Sequence, residues 1–424
     1  MLENILFKIK KIIPTKLFRK LQPGYHYCLS LLGAIIYRFP SRKIFVVGIT
    51  GTKGKTSTAE LVSTILETAG YKTALAGTLR FKIGNQTERN KFKMTMPGRF
   101  FLQSFLRKAV TEHCDFVILE MTSEGTKQFR HKFTQLNSLI FTNLSPEHIE
   151  SHGSYEKYRS AKLKIVKALE CSPKKRKTII VNKDDPENRY FLENKLKEKY
   201  RYALADAAPF ELKKLGLSLT IDGEKINSCL SGKFNIYNIL AAVTFAKSQN
   251  IGIKTIKTAI ESFKGIRGRV ERIEAGQDFT VIVDYAHTPD SLEKLYEAFP
   301  NSKRICVLGN TGGGRDKWKR AVMGSIADKY CAEIILTNED PYDEDPRLIV
   351  EEMAQGITKP YQIIMDRKEA IQKAVSSAQT GDTVLITGKG TDPYIMGPNN
   401  SKLDWDDATI TKESIINSLN NNNG

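Results

Sequence analysis

The sequence predicts two consecutive α/β domains, each on a mainly parallel sheet, and three observations carry that reading. From Lys43 onward, short β-rich runs alternate with stretches of helical periodicity; a glycine-rich loop follows the first run directly; and a second alternating series begins beyond residue 231. The first series comprises Ile44–Val47, Phe116–Leu119, Ser138–Phe141 and Thr178–Val181, with a helix over Ser57–Ala69. The second comprises Thr280–Val283, Arg304–Leu308, Glu333–Leu336 and Thr383–Ile386, separated by helices such as Ser291–Ala298 and Arg320–Lys329. Such alternation implies parallel strands covered by helices on both faces. A short β-like stretch at Leu217–Asp222 precedes the expected boundary near Leu230–Lys233, giving domains 43–231 and 232–415. Residues 416–424, ending in Asn-Asn-Asn-Asn-Gly, read as a disordered polar tail.

Composition narrows the class. A chain of 424 residues that is 41% hydrophobic buries two or three ordinary cores, which excludes a lone small binding module. Its six cysteines are scattered and form no C-x-x-C pair, which argues against a zinc ribbon and a disulfide framework and for reduced cytoplasmic thiols. The net charge of +18 suits an anionic partner such as nucleotide, nucleic acid or a membrane surface, and equally suits a basic proteome. No apolar run reaches the roughly 18–20 residues that span a bilayer. The longest, Tyr27–Tyr37, is interrupted by Ser30 and Gly33 and lacks a signal-peptide cleavage site.

Residues 1–42 read as a basic, apolar helical pair broken at Pro14 and at Pro23-Gly24. Phe7, Ile9, Ile12, Ile13, Leu17, Phe18 and Leu21 interleave with Lys8, Lys10, Lys11, Lys16, Arg19 and Lys20. The pattern fits an interfacial amphipathic helix in peripheral membrane contact, or a helix docked on the following domain with a solvated basic face.

The strongest local signal is Gly48-Ile-Thr-Gly-Thr-Lys-Gly-Lys-Thr56, set between a strand and a helix. A P-loop requires that setting: glycines let backbone N–H groups approach phosphate oxygens, and the helix N-terminus adds positive partial charge. Gly51, Thr52, Lys53, Gly54, Lys55, Thr56 and Ser57 are the candidate cradle, with Lys55 on the β- and γ-phosphates and the Thr56 hydroxyl on Mg²⁺. The spacing departs from G-x-x-x-x-G-K-[ST], because the first glycine lies one residue early and Ile49 takes its place. The first domain thus reads as a P-loop ATPase domain and the second as Rossmann-like; nucleotide binding alone does not separate a ligase from a switch or a motor.

The loop resembles that of the Mur ligases, which join an amino acid to a carboxylate through an acyl phosphate, and further matches follow in the family's order from residue 43 to about 397. Thr95-Met96-Pro97, with Leu102-Gln103, is similar to T-T-P and its downstream L-Q; Glu120-Met-Thr122-Ser123-Glu-Gly-Thr-Lys-Gln128-Phe-Arg130 is similar to E-V-S-S-H-A-L-x-Q-x-R of the tripeptide-forming member. The resemblance implies that Glu120 is a magnesium ligand, and that Thr95, Met96, Pro97, Thr122, Ser123, Gln128 and Arg130 face a muramyl-dipeptide acceptor. Glu120 makes sense unaided too, since a carboxylate at the carboxyl end of a parallel strand points into the crevice where such sheets bind ligands. Thr142-Asn-Leu-Ser-Pro-Glu-His148, continuing to His152-Gly153, Tyr158 and Ala161-Lys162, resembles T-N-L-x-x-D-H-L-D-x-H-G-x-x-x-x-Y-x-x-A-K, with Glu147 where the family has aspartate. On that match His148 binds a second Mg²⁺ and Lys162 is the lysine carbamylated in the family; taken alone, Lys162 reads as a surface helix lysine.

Gly232-Lys-Phe-Asn235-Ile-Tyr-Asn238 resembles G-x-F-N-x-x-N, whose asparagines lie near adenine; Gly268-Arg269-Val-Glu271 resembles G-R-M-E, placing Arg269 at the ATP phosphates. Val283-Asp284-Tyr-Ala-His287-Thr-Pro289 reproduces V-D-Y-A-H-T-P, so Asp284 and His287 are implied at the nucleotide. Gly312-Gly-Gly-Arg315-Asp-Lys317 resembles G-G-x-R-D-K, whose arginine grips the incoming amino acid's carboxylate as a planar fork.

Diaminopimelate-selecting members then carry D-N-P-R, where this chain has Glu339-Asp340-Pro341-Tyr342, and G-K-G-H-E, where it has Gly388-Lys-Gly390-Thr391-Asp392. Loss of that arginine removes the cation for diaminopimelate's distal carboxylate, while the acidic surroundings, Asp340 with Asp343-Glu344-Asp345, favour a distal ammonium, so a lysine-like amino acid is preferred; Asp392 retains the family's carboxylate, one methylene shorter, which counts against that preference without reversing it. The resemblance therefore implies a cytoplasmic, monomeric ATP- and Mg²⁺-dependent ligase of peptidoglycan biosynthesis. About forty residues cannot build the uridine-nucleotide domain at the front of tripeptide-forming members, which leaves UDP-linked and lipid-linked acceptors both open.

Among alternatives, a folylpolyglutamate synthase is disfavoured by D-Y-A-H-T-P with G-G-x-R-D-K, and the amidating Mur-like subunit by the missing four-cysteine ribbon. A nucleic-acid ATPase lacks a basic stripe with stacking aromatics. A catalytically silent nucleotide-binding scaffold is disfavoured by the full set of candidate metal ligands.

Overall fold

The structure, a computed structural model, describes residues 15–422 except 148, 214, 301, 315 and 316. The chain divides into two compact units, residues 1–203 with 241–251, and residues 204–240 with 252–424.

The first unit opens with α1 (Thr15–Ile36), followed by β1 (Phe45–Thr50), α2 (Lys55–Thr68), β2 (Thr73–Ala76), β3 (Arg80–Ile83), β4 (Gln86–Arg89), α3 (Arg99–Thr111) and β5 (Phe116–Glu120). There follow α4 (Ser123–Lys127), β6 (Ser138–Phe141), α5 (Ile149–His152), α6 (Tyr155–Glu170), β7 (Thr178–Asn182) and β8 (Glu198–Tyr202). The strands form one sheet in the order β4-β3-β2-β5-β1-β6-β7-β8, parallel from β2 to β8. Alternation along each strand builds the core: Val46, Val117, Leu119, Leu139, Phe141, Ile179 and Val181 point to one face, where Leu102, Phe105 and Leu106 of α3 and Ile165, Val166 and Leu169 of α6 cover them. Strand β1 lies between β5 and β6, so its carboxyl end opens at a point where the connections diverge to both sides.

In the second unit, β9 (Phe210–Leu212), β10 (Leu217–Ile221) and β11 (Glu224–Ser228) make a small antiparallel sheet. A six-stranded sheet follows, in the order β12 (Glu271–Arg272), β13 (Thr280–Asp284), β17 (Thr383–Thr387), β14 (Arg304–Leu308), β15 (Glu333–Leu336) and β16 (Gln362–Ile363), with only β12 antiparallel. Helices cover both faces: Leu292, Leu295, Met323 and Met353 pack on Cys306, Leu308 and Leu385, while Ala370, Ile371 and Ile415 pack on Val281, Val307 and Ile386.

Three expectations are corrected. Helix α1 runs unbroken through Pro23. Proline at that position removes a helical hydrogen bond and costs roughly 3 kcal/mol, and docking offsets it: Ser30 Oγ donates to Phe129 O (2.9 Å), Arg107 Nε donates to Tyr37 O (2.9 Å), and Gly33 lies against the Arg99 backbone. The apolar-basic pattern before residue 15 lies outside the described residues. At the other end, the helix Asp407–Asn422 continues through most of the expected tail, because Ile415 and Leu419 pack on the second unit's core. The third concerns the cysteines: Cys306 on β14 and Cys331, just before the adjacent β15, are 6.2 Å apart at Cα and joined as a disulfide. Twenty-five residues of sequence separate two positions that parallel pairing brings together. Among the described residues no helix is long and apolar enough to cross a membrane.

One buried ion pair braces the carboxyl end of β17. Arg367 donates to both carboxylate oxygens of Asp407 (2.8 and 2.7 Å) and to Thr387 O (2.8 Å), with both side chains essentially inaccessible. Asp407→Ala leaves a guanidinium buried without its counter-charge and should lower unfolding free energy by about 3–5 kcal/mol, read by urea titration. Arg367→Met with Asp407→Leu should recover most of the loss; a single-variant loss within error of zero would sink this reading of the pair.

Candidate functional site

The loop after β1 is shaped by the neighbouring strand end. A Cβ at Gly51 would overlap Thr142 Oγ1, and Gly54, at φ 81°, caps α2 in the left-handed region that glycine tolerates. Without side chains there, the loop lies flat on the segment after β6. Thr52 N donates to Asn143 O (2.8 Å), Lys53 N to Asn143 Oδ1 (2.9 Å), and Thr142 Oγ1 to Lys53 O (2.7 Å). The Thr52 hydroxyl pairs with Tyr158 OH (3.0 Å), and Lys53 Nζ bonds Glu147 Oε1 (2.8 Å). Lys55 Nζ folds back on the Gly51 and Thr52 carbonyls (3.0 and 2.8 Å), while Ser57 is buried in the first turn of α2.

Two buried ionisable groups flank this loop. Glu120, at the carboxyl end of β5 beside β1, accepts from Thr56 Oγ1 (2.9 Å), Thr78 N (2.8 Å) and Thr78 Oγ1 (2.9 Å). Burial pushes its carboxyl pKa up, against the Thr78 amide and the Lys55 charge. Lys162 on α6 is 2% exposed and donates to Gly51 O (2.7 Å). Burial holds its ammonium well below the usual lysine range, and the like charge of Lys55 adds to the effect. A lysine that reads alone as a surface residue is thus buried beside the phosphate loop, with an amine that gives up its proton more readily than an exposed lysine does.

The predicted acceptor-facing residues also gather in the first unit. Thr95 Oγ1 pairs with Thr78 Oγ1 (2.9 Å), Met96 is buried beneath Thr122, whose amide donates to its sulfur (3.4 Å), and Pro97 follows. Thr122 Oγ1 caps α4 by accepting from Gly125 N, Ser123 Oγ meets His152 Nε2 (3.1 Å), and Arg130 Nη2 donates to Gln128 Oε1 (2.7 Å). His148 lies outside the described residues. Thr78, Asn143, Arg99 and His26 escape the sequence reading. Thr78 and Asn143 act through partners far along the chain, Glu120 and the Lys53 amide, which leave no periodic signal; Arg99 bonds His26 Nδ1 (2.6 Å) across two helices.

Within the second unit, Asn235 donates to Ser231 O (2.7 Å) and Asn238 to Asn235 Oδ1 (2.9 Å), both buried at a helix start. Arg269 lies over the Tyr285 ring (4.3 Å), its Nε buried without a partner among the described residues. Asp284, at the carboxyl end of β13, accepts from Val270 N and Ala286 N (each 2.7 Å), and His287 Nδ1 faces Tyr285 O (2.7 Å). Lys389, fully buried, bonds Asp340 Oδ1 (2.7 Å), Asp392 Oδ2 (3.3 Å) and Tyr394 O (2.6 Å) beside Gly388. Glu339 is buried next to them, its pKa raised by burial and then by Asp340. Tyr342 stands at φ 54° against Gly313, and Arg315 lies outside the described residues.

Comparison with known proteins agrees with this arrangement. The Mur ligase middle domain matches residues 49–246, and the Mur ligase glutamate ligase domain matches residues 268–390. The UDP-N-acetylmuramoyl-L-alanyl-D-glutamate–2,6-diaminopimelate ligase of Syntrophomonas wolfei is 36% identical over 411 residues, covering 93% of this chain and 82% of its own length. The UDP-N-acetylmuramyl-tripeptide synthetase of a Roseiflexus species is 35% identical, with coverages of 93% and 82%. A solved 2,6-diaminopimelate ligase superposes with a TM-score of 0.62 at 27% identity, covering 89% of this chain and 79% of that one. The ADP complex of Mycobacterium tuberculosis folylpolyglutamate synthase, at 15% identity and a TM-score of 0.68 over 85% and 91%, shares the fold.

Lys162 yields a stability test. Its folded pKa lies below its unfolded value, so between the two the unfolded chain binds the extra proton and stability rises with pH. In buffer freed of carbon dioxide, Lys162→Met should raise the urea midpoint at neutral pH, the gain shrinking as pH approaches the ordinary lysine range. Gly51 O keeps Lys55 as a donor, so no carbonyl is orphaned. A lowered midpoint across the whole range would contradict the neutral-amine reading.

Proposed function

Because the chain belongs to the Mur ligase family, whose members are ATP-dependent, ADP-forming ligases, we infer that it joins an amino acid to the D-glutamyl carboxylate of a muramyl-dipeptide cell-wall precursor. The observation that carries this reading is the buried Lys162 amine against Gly51 of the phosphate loop, with the buried Glu120 carboxylate on Thr56 of the same loop.

Mg²⁺ fits here. Glu120 is a carboxylate whose charge burial disfavours and whose bonds come from hydroxyls and an amide, so a dication would restore its ionised form. The described residues hold no cluster of three or more acidic, histidine or cysteine ligands. That suits an ion that takes one or two carboxylates, with phosphate oxygens and water for the rest. Glu120 and Thr56 would hold one ion, and His148 with Lys162 a second; bound there, Mg²⁺ neutralises charge on the transferred phosphoryl group. Lys162 would serve as a ligand after its deprotonated amine adds to carbon dioxide, forming a C–N bond as a C=O π bond opens and losing a proton to give an anionic carbamate.

The chain's own groups account for the rest. Lys53, Lys55 and the amides of residues 51–57 hold the ATP phosphates; Arg269 serves the same charge, and Asn235, Asn238, Asp284 and His287 serve the nucleoside. Thr95, Met96, Pro97, Thr122, Ser123, Gln128 and Arg130 orient the acceptor. An acceptor carboxylate oxygen bonds to the γ-phosphorus as the bond to the bridging oxygen breaks, giving ADP and an acyl phosphate. The incoming amine then attacks the acyl carbon, phosphate leaves with the bonding pair, and the amine loses a proton. Positioning and preset charge supply the rate.

For the amino acid, Arg315 would grip the α-carboxylate, and the region of Asp340, Tyr342, Gly388 and Asp392 would select the far end. Asp340 and Asp392 both reach Lys389 (2.7 and 3.3 Å), which sets two carboxylates in this region. Carboxylates there favour a distal ammonium, as in lysine or ornithine, over the additional carboxylate of diaminopimelate. A lipid-linked acceptor at a membrane surface is the second reading, favoured by Leu32, Ile35 and Ile36 of α1, which are 47–55% exposed.

Both choices are settled by one panel: phosphate release with ATP and Mg²⁺, from UDP-linked and lipid-linked muramyl-dipeptide, with each amino acid in turn. L-lysine should exceed meso-diaminopimelate; the reverse order would overturn the specificity, and no amino-acid-dependent release with either acceptor would overturn the ligase reading itself. Because the carbamate needs carbon dioxide, turnover should also fall in carbon dioxide-free buffer and return on adding bicarbonate.

A further inference from the structure

Beside the acceptor-orienting residues of the first unit stand two arginines that form no ion pair among the described residues. Arg130 Nη2 donates to Gln128 Oε1 at 2.7 Å, and Arg99 Nη2 reaches the same oxygen at 3.5 Å while its Nε donates to Gln128 O at 3.2 Å. Neither guanidinium forms an ion pair among the described residues; the nearby Glu124 is taken by His152 (3.0 Å). Two like charges are thus held around one neutral amide oxygen, and burial together with Arg99 lowers the Arg130 pKa to about 10. Such an arrangement lacks the anion that would offset it.

His26, reaching in from α1, fixes the polarity of the cluster. Its Nδ1 lies 2.6 Å from Arg99 Nη2, and an arginine N–H only donates, so Nδ1 accepts. Burial and the two arginines push the ring's pKa down to about 4, so at neutral pH it is uncharged and its proton sits on Nε2. That Nε2–H and the Arg130 Nε–H are both buried without an acceptor among the described residues. Orphaned donors at two positions beside two guanidiniums without an ion pair among the described residues call for oxyanion oxygens.

We propose that Arg99, held in place by His26, forms with Arg130 an oxyanion-binding site that takes an anionic group of the acceptor, a phosphate or a carboxylate. The inference rests on the acceptor reading given above and extends it to Arg99 and His26, on helices α3 and α1. Arg99 would touch the ligand; His26 is a positioning residue.

The test is calorimetry on the full chain, with the phosphate loop saturated by ADP, using inorganic pyrophosphate and the dipeptide L-Ala-D-Glu as separate probes. Arg99→Ala should weaken at least one probe about 10-fold or more, with Arg99→Lys intermediate because it keeps charge but loses the fork. The probe that weakens identifies the group. His26→Ala should weaken the same probe, but only while Arg99 is present. Wild-type protein that binds neither probe, or Arg99 variants of unchanged affinity, would overturn the proposal. Thermal unfolding identifies any variant that fails to fold, in which case Arg99→Lys and Arg99→Gln carry the comparison. Failure of the ligase reading would look different: no turnover with any acceptor, while Arg99-dependent probe binding persists.

Discussion

The first unit's candidate site depends on one close approach, that of the Gly51 backbone to the end of β6. A Cβ there would occupy the position of the Thr142 hydroxyl, which bonds Lys53 O (2.7 Å) and so presses the loop onto Asn143. Asn143 then takes two loop amides, and those contacts fix where the Gly51 carbonyl points. That carbonyl receives the Lys162 and Lys55 amines (2.7 and 3.0 Å), so the position of a buried lysine follows from the absence of a side chain over a hundred residues earlier. The parallel pairing of β1 with β5 and β6 brings all of these groups to one sheet edge.

Charge is arranged around the loop in a way that anticipates phosphate. Lys53, Lys55 and Lys162 bring positive charge to it, and Glu120 and Glu147 bring carboxylates. The two buried members are driven towards neutrality in opposite senses: Glu120 takes up a proton more readily, and Lys162 gives one up more readily. Each is therefore a poor ion where it stands. A polyphosphate with a hard dication supplies both signs at once.

Much of this was legible in the sequence because it depends on strands and on runs of adjacent residues. Ser138–Phe141, Arg304–Leu308 and Glu333–Leu336 coincide with their predicted spans, since buried parallel strands are short, apolar and bounded by turns. The strand–loop–helix setting of Gly51 to Thr56 was equally visible. What escaped depends on tertiary partners. The helix through Pro23 persists because Ser30, Gly33 and Tyr37 dock on the 99–133 region; Asn-rich residues up to 422 are helical because Leu419 reaches a core; Cys306 and Cys331 meet only through strand order. Thr78 and Arg99 belong to the same group, each defined by a partner on another element.

The two kinds of contact divide the labour of the protein. Several groups implied at the nucleotide are tied to backbone: Lys55 and Lys162 to loop carbonyls, Asp284 to the amides of Val270 and Ala286. Groups implied in choosing substrates are tied largely to other side chains, as Arg130 is to Gln128, Arg99 to His26, and Lys389 to Asp340 and Asp392. A side chain held by a side chain can be exchanged together with its partner while strands and loops stay in register. Tyr342 in place of a family arginine, and Arg99 paired across helices with His26, both lie in that second layer.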